Sequence, residues 1–323
     1  MRLEVLSLLL IAMLVPLPSA VHAQGSKPIV VCTTSVLASI VKDLAGDRVV
    51  VEVIAPPSIC PAHYAVKPSD VEKLREASLI LAHGFEPWLR DLVKVSGSRA
   101  PVVYVRGPWN TPTALRERYI EVAKALEKYL GLNVSARLEK CLRAIDETAR
   151  WLKRFAEEHG FVGTPVIVML WQRPFIAFLG FRIVGVYGPP EKVSLREFEQ
   201  LVENGTKYHA LLVVDNLQSG TALGKKLAEE IGAVEVALTN FPYTAPGLNN
   251  VTQVMKYDAQ LLAQALSYAR LRHSASLLAK LRSEVDELRT SLSLWMYGCI
   301  ASIVVNTVLA ACIAVLVKRL RQR

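Results

Sequence analysis

The chain carries no Gly-x-Ser-x-Gly turn, no glycine-rich phosphate loop and no His-Glu-x-x-His pair in its 323 residues. Acyl-transfer, nucleotide-dependent and zinc-peptidase chemistries therefore lack their usual signatures, and no enzyme is implied. A metal-dependent hydrolase would also need a general base, and Glu86 is the only residue that invites the role. Acidic charge is scarce relative to basic charge, with 29 Asp and Glu against 38 Lys and Arg. Between Arg270 and Arg323, however, there are nine Lys and Arg against three Asp and Glu, a surplus of six in a formal net charge of +9. The body keeps about +3, too little for a phosphate-binding face, so no nucleic-acid partner is expected.

Long apolar runs are equally few, and the two that exist lie at the ends. Arg2 precedes an apolar stretch over 5–15, followed by Pro16, Pro18 and the small-residue run Val21-His22-Ala23. That pattern reads as a signal peptide over 1–23, because the apolar part is too short to cross about 30 Å of hydrocarbon. No cysteine directly follows Ala23, so a lipid-modified N-terminus is not expected. The second run, 294–317, has no charge and is long enough to span a bilayer. Trp295 and Tyr297 suit one interface, and Lys318, Arg319, Arg321 and Arg323 suit the cytoplasmic flank. The body is thus expected outside the membrane, with 318–323 as a cytoplasmic tail.

Just before that run, Leu278, Leu281, Val285, Leu288, Leu292 and Trp295 alternate spacings of three and four. This is the seam of a coiled coil, and 270–293 reads as a helical stalk that either pairs with a second stalk or lies against its own body. Three triplets, Asn133-Val134-Ser135, Asn204-Gly205-Thr206 and Asn250-Val251-Thr252, fit N-glycosylation acceptors and agree with an exterior face.

The roughly 250 residues between the leader and the stalk exceed a usual single-core domain, so two lobes are expected. Strands are predicted at 28–32, 49–54, 79–82 and 102–105, with helices at 35–44 and 69–76 between them. This alternation implies an α/β lobe with a parallel sheet over 24–132. Residues 113–159 read as helical apart from Gly131-Leu132-Asn133, and Leu138, Leu142, Ile145, Ala149, Leu152 and Phe155 recur at helical spacing. A linking helix over 133–160 follows. The rhythm returns with strands at 165–170, 182–187, 210–215 and 234–238 and helices near 195–203 and 222–231, giving a second α/β lobe over 161–269. The expected whole is two α/β lobes with parallel sheets joined by one long helix, then the stalk and one transmembrane helix over 294–317.

At Thr33-Thr34-Ser35, Pro56-Pro57, Pro61-Ala62-His63-Tyr64, Pro68-Ser69-Asp70-Val71 and His83-Gly84-Phe85-Glu86-Pro87-Trp88-Leu89, the chain resembles the zinc- and manganese-uptake receptors of ABC importers. The resemblance implies a divalent metal ion, zinc or manganese, as bound solute in the cleft between the lobes, with permease and ATPase subunits as partners. It also implies four protein ligands, of which only the first, His63, is present. No His stands in Gly107-Pro108-Trp109-Asn110-Thr111-Pro112, Trp171-Gln172 ends the first strand of the second lobe without one, and Leu238-Thr239-Asn240-Phe241-Pro242 lacks the late carboxylate.

A zinc or manganese site needs several N, O or S donors at about 2.0–2.3 Å from one point. His63 and His83 form the best pair, each beyond a strand at the carboxyl edge where open α/β sheets bind ligands. Glu86 either completes that site or caps the following helix. Cys60, three residues before His63, either joins the metal as a thiolate or pairs with Cys32 in a disulfide suited to an exported protein. Cys141 has no evident partner, and packing is the default role for Cys299 and Cys312. In the second lobe, Trp171, Gln172, Arg173, Asn216, Gln218 and Asn240 are expected to line the cleft. There Trp171 would stack on a chelate or organic ligand, Arg173 pair an acid group, and Asn216 and Gln218 donate hydrogen bonds.

Overall fold

A computed structural model describes residues 26–322, so the expected signal peptide lies outside the described residues. The first lobe runs β1 (Ile29–Cys32), α1 (Ser35–Ala45), β2 (Val50–Val53), α2 (Pro68–Glu76), β3 (Leu79–Ala82), α3 (Leu89–Ser96) and β4 (Val102–Tyr104). Two long helices follow, α4 (Pro112–Leu130) and α5 (Ser135–Glu158). The second lobe comprises β5 (Pro165–Met169), α6 (Arg173–Phe178), β6 (Arg182–Tyr187), α7 (Leu195–Lys207), β7 (Leu212–Asn216), α8 (Ala222–Ile231) and β8 (Val234–Leu238). The chain ends in α9 (Val251–Arg321).

Local chemistry sets the helix ends. Thr34 opens α1 by accepting from the Leu37 amide, and Thr111 opens α4 by accepting from Ala114, with Pro112 in the first turn where its missing N–H costs nothing. Gly131, at φ +65°, ends α4 in the left-handed conformation that side chains avoid. Asn250 caps α9 by accepting from the Gln253 amide.

Both sheets are four-stranded and wholly parallel, in orders β2-β1-β3-β4 and β6-β5-β7-β8, so the second lobe repeats the topology of the first. Their central strands are apolar, save for Asp215 and Asn216 at the end of β7, because both faces are covered. Val30 and Cys32 of β1, Leu79 and Leu81 of β3, Val166 and Val168 of β5, and Leu212 and Val214 of β7 all enter one core. The alternate residues Val31 and Ile80 enter a second core under α2 and α3, and Ile167 and Val213 a third under α7 and α8. The first of these cores is shared by the lobes. It runs through Ile145, Leu152 and Ala156 of α5 and Met255, Leu262 and Leu266 of α9. Burying apolar area at about 25 cal/mol per Å² along this continuous seam opposes a wide hinge between the lobes.

The last helix has two unlike parts. From Val251 to Ala269 it is amphipathic, with Val251, Val254, Met255, Ala259, Leu262 and Leu266 buried. Arg270 donates to the carbonyls of His159 and Gly160, and Arg272 to that of Ala233, fastening the helix to the body. Beyond them it continues without a break for some 50 residues, about 75 Å at 1.5 Å per residue, with nearly every side chain exposed. Its most apolar 18 residues reach a mean hydropathy of 2.6 with none buried, long and apolar enough to cross a membrane.

Candidate functional site

In the strand order of each sheet, the chain turns to opposite sides at β1 and β3 and again at β5 and β7. The crevice outside the carboxyl ends of those strands is where open α/β sheets place ligands. Loops after β2, β3 and β4 of the first lobe and after β5, β7 and β8 of the second line a cavity of about 560 Å³ there. Loops of the first lobe contribute Cys60, Ala62, Phe85, Trp109 and Asn110 to it. The second lobe contributes Leu170, Trp171, Asn216, Gln218, Asn240 and Phe241.

The motif residues of the first lobe turn out to hold loops rather than converge on a point. Asp70 is buried and accepts from the Tyr64 hydroxyl at 2.9 Å and the Lys67 amide at 2.8 Å, which ties the loop to the start of α2. Trp88 donates its Nε1–H to the Pro61 carbonyl at 2.7 Å and meets the Tyr64 ring edge-on at 5.8 Å. This lock leaves His63 at the exposed rim, with Nε2 3.6 Å from Glu191 of the second lobe.

His83 goes the other way. It is buried, stacked on Trp109 at 4.3 Å between ring centres, with both ring nitrogens engaged. Nδ1 lies 3.2 Å from the Val105 carbonyl, which can only accept, so Nδ1 carries the proton and Nε2 accepts from the Thr34 hydroxyl at 2.9 Å. Burial pushes its pKa down to about 4, so the ring is neutral at physiological pH. Glu86 accepts from the Thr33 hydroxyl and from the amides of His83 and Gly84. It is held ionised, below its ordinary range, despite burial, which on its own raises the pKa; the bonds from Thr33 and His83 outweigh that. It organises the turn after β3 rather than capping α3.

The four side chains named for a metal centre, His63, His83, Cys60 and Glu86, are not brought together in this structure. Among the described residues no three His, Cys, Asp or Glu side chains are grouped to hold a metal ion. The physical reason is that the lone pair of His83 and the carboxylate of Glu86 are already spent on Thr34 and Thr33, while His63 stands outside at the rim. The Cys32–Cys60 disulfide is likewise absent, both being free thiols. Cys32 points into the core from β1, where burial raises its thiol pKa far above the usual value, whereas Cys60 lines the cavity.

In the second lobe Trp171, Asn216, Gln218 and Asn240 line the cavity, and Gln172 and Arg173 do not. Gln172 is buried behind the wall, donating to the Leu238 carbonyl with its own Oε1 unpartnered, and Arg173 is exposed at the start of α6. The amides stitch the lobes together across the site. Asn110 donates to the Trp171 carbonyl at 2.8 Å and to Asn240 Oδ1 at 3.3 Å, Trp109 Nε1 donates to the Asn240 carbonyl at 2.9 Å, and Gln218 donates to the Pro57 carbonyl at 3.1 Å. Sequence reasoning assigned no role to Phe85, Trp109, Asn110 and Phe241. The available signal was that they stand at or beside the motif positions where a ligand was sought and not found.

These features define two α/β lobes of like topology with a cavity lined by both. Two solved structures share the fold over 74% of this chain: zinc-bound ZnuA carrying a 138–173 deletion (TM-score 0.63, 21% identity, 97% of that chain) and the periplasmic zinc-binding protein TroA of Treponema pallidum (TM-score 0.66, 18% identity, 99% of that chain). In sequence, the family described as zinc-uptake complex component A, periplasmic, matches residues 30–128. The manganese ABC transporter substrate-binding lipoprotein PsaA of Streptococcus pneumoniae is 42% identical over 76 residues, 22% of this chain and 25% of that protein. The metal ABC transporter substrate-binding lipoprotein SloC of Streptococcus mutans is 32% identical over 101 residues, 29% of this chain and 32% of that protein. The match thus spans a quarter to a third of the length of these curated relatives. The resemblance to the zinc- and manganese-uptake receptors holds in sequence over the first lobe and in fold over both.

Proposed function

We propose that the chain is the extracytoplasmic solute receptor of an ABC importer, held at the cell membrane by the apolar part of α9, with its basic end cytoplasmic. It binds and does not catalyse. The observation that carries this reading is the cavity at the carboxyl edges of both sheets, built from both lobes of a metal-receptor fold. Permease and ATPase subunits are its partners, and the stalk seam of Leu278, Leu281, Val285, Leu288 and Leu292, exposed on α9, pairs two copies side by side. Zinc or manganese, the metals in the names of its relatives, is the first cargo to test, carried as a chelate because the protein's own ligands do not converge.

In cells lacking the chain, accumulation of radiolabelled zinc or manganese is expected to fall. Full chain co-reconstituted with its permease and ATPase is expected to stimulate ATP hydrolysis. Unchanged accumulation together with unstimulated hydrolysis would sink the importer reading. A surface sensor or adhesin on the same fold is then what remains, a reading favoured by the commitment of His83 and Glu86 to structural bonds.

A further inference from the structure

The chemistry of the cavity wall narrows what it can hold. No residue lining it is an Asp, Glu, Lys, Arg or His. Phe85, Trp109, Trp171 and Phe241 supply flat apolar faces, with Leu170, Pro61, Pro108 and Pro174 between them. The polar groups are four carboxamides and the Cys60 thiol. Those amides are largely committed already: Asn110 to Trp171 and Asn240, Asn216 to Gln218 and Ser219, Gln218 to Thr239 and Pro57. A bare divalent cation entering here would shed its water without gaining an anionic or imidazole donor set. Desolvating an ion costs several kcal/mol even after relaxation, and one thiol does not replace four or more donors. The volume of about 560 Å³ is that of an ordinary small-molecule pocket, within the common range of about 300–1,000 Å³.

We infer that the cavity takes an uncharged small molecule with a flat, largely apolar body, stacked on Trp171 and Trp109, and not an unchelated divalent cation. This rests on the cavity being the capture site. A metal-free organic compound and a neutral metal complex, whose organic part completes the coordination shell, share this chemistry.

Cys60 provides the readout, being a free and partly exposed thiol in the wall. Full chain in lipid nanodiscs is treated with N-ethylmaleimide, and labelling of the Cys60 peptide is timed by mass spectrometry. The probe is N-phenyl-1-naphthylamine, neutral and aromatic, compared with zinc chloride and manganese chloride. The probe is expected to slow Cys60 labelling, and Trp171→Ala, at a half-exposed side chain, is expected to weaken that protection about tenfold, the loss of one stacking partner and its buried area. Using the same nanodiscs for the variant cancels partition of the probe into lipid. Protection by either metal salt with none by the probe overturns the proposal, and so does protection by neither. Solvent extracts of the purified chain supply a second arm: an uncharged compound present at one per chain and lost in Trp171→Ala supports the inference. Metal at the same stoichiometry marks a neutral complex, and its absence a metal-free compound. Probe protection without ATPase stimulation would leave this site standing while the importer reading fails, so the two are separable.

Discussion

Asp215 makes stability depend on pH in a direction that most carboxylates do not. It lies one residue before the end of β7, fully buried, its Oδ1 accepting from the Tyr187 hydroxyl and its Oδ2 without a partner, while Glu235 Oε1 nearby is also unpartnered. Gly224 packs so closely that an added Cβ would lie 2.0 Å from Oδ2. Burial pushes the carboxyl pKa up to about 7, helped by the charge of Glu235, against the lowering effect of the Tyr187 bond. Because the folded value lies above the unfolded one near 3.8, the stabilising contribution is fully present below about pH 4 and disappears as pH rises through 7. At most one proton is involved, so the slope is bounded at about 1.4 kcal/mol per pH unit, and the whole effect at roughly 4 kcal/mol. Asp215→Asn keeps an acceptor for Tyr187 and needs no proton. Thermal unfolding followed by near-ultraviolet circular dichroism between pH 4 and 8 should show the variant gaining stability relative to the native chain as pH rises, since the other titrating groups are common to both. The variant should be the more stable of the two at pH 8. Glu235, also raised by burial, leaves some residual slope. Equal slopes in both chains would refute a protonated Asp215 as a source of the pH dependence.

Glu86→Ala should destabilise the first lobe by roughly 1–3 kcal/mol, since it strands the buried Thr33 hydroxyl and the His83 amide; denaturant midpoints measure it. A chain ending after His273, which keeps the anchors at Arg270 and Arg272, should be soluble and folded, while the full chain fractionates with membranes. If stalks pair in parallel, Cys299, seven residues beyond Leu292 on the seam, should cross-link under mild oxidation and Cys312 should not, as read by non-reducing gels of single-cysteine variants. Trp109→Phe removes the only bond from that ring to the Asn240 carbonyl and should loosen the lobe contact by about 1 kcal/mol, seen as faster amide exchange around Asn240.

Much of the fold was legible because its signals are local. Fully covered parallel strands read as apolar runs, Gly131 broke the helical period, and Ala222–Ile231 was placed as it stands. Three things were not legible. The six-residue helix Arg173–Phe178 is too short to show a period, and it turns Arg173 outward. That α9 runs unbroken from the body through 270–293 was not legible either, because helical spacing carries no mark at Ala269; only burial changes there. For the site, spacing along the chain placed His63 and His83 at one sheet edge but could not assign their bonds. The Asp70 and Trp88 anchors that send His63 to the rim reach across 6 and 27 residues.

The fate of His83 shows why a sheet edge alone does not specify chemistry. Beside the end of β3, the Thr34 hydroxyl beyond β1 and the Val105 carbonyl beyond β4 stand at the spacing of the two imidazole nitrogens. With both satisfied, the ring becomes a neutral apolar plate on which Trp109 stacks, and Trp109 in turn meets Phe241 of the second lobe at 5.8 Å. A histidine with a free nitrogen in that place would favour a cation, whereas this one backs Trp109, which lines the cavity. Thr34→Val is the change that separates the two states. It leaves Nε2 of His83 without its donor in a buried site, and weak zinc binding that appears only in that variant would show the crevice to be one hydrogen bond away from a metal ligand. No gain of zinc binding would mean that the stacked plate, rather than Thr34, keeps metal out.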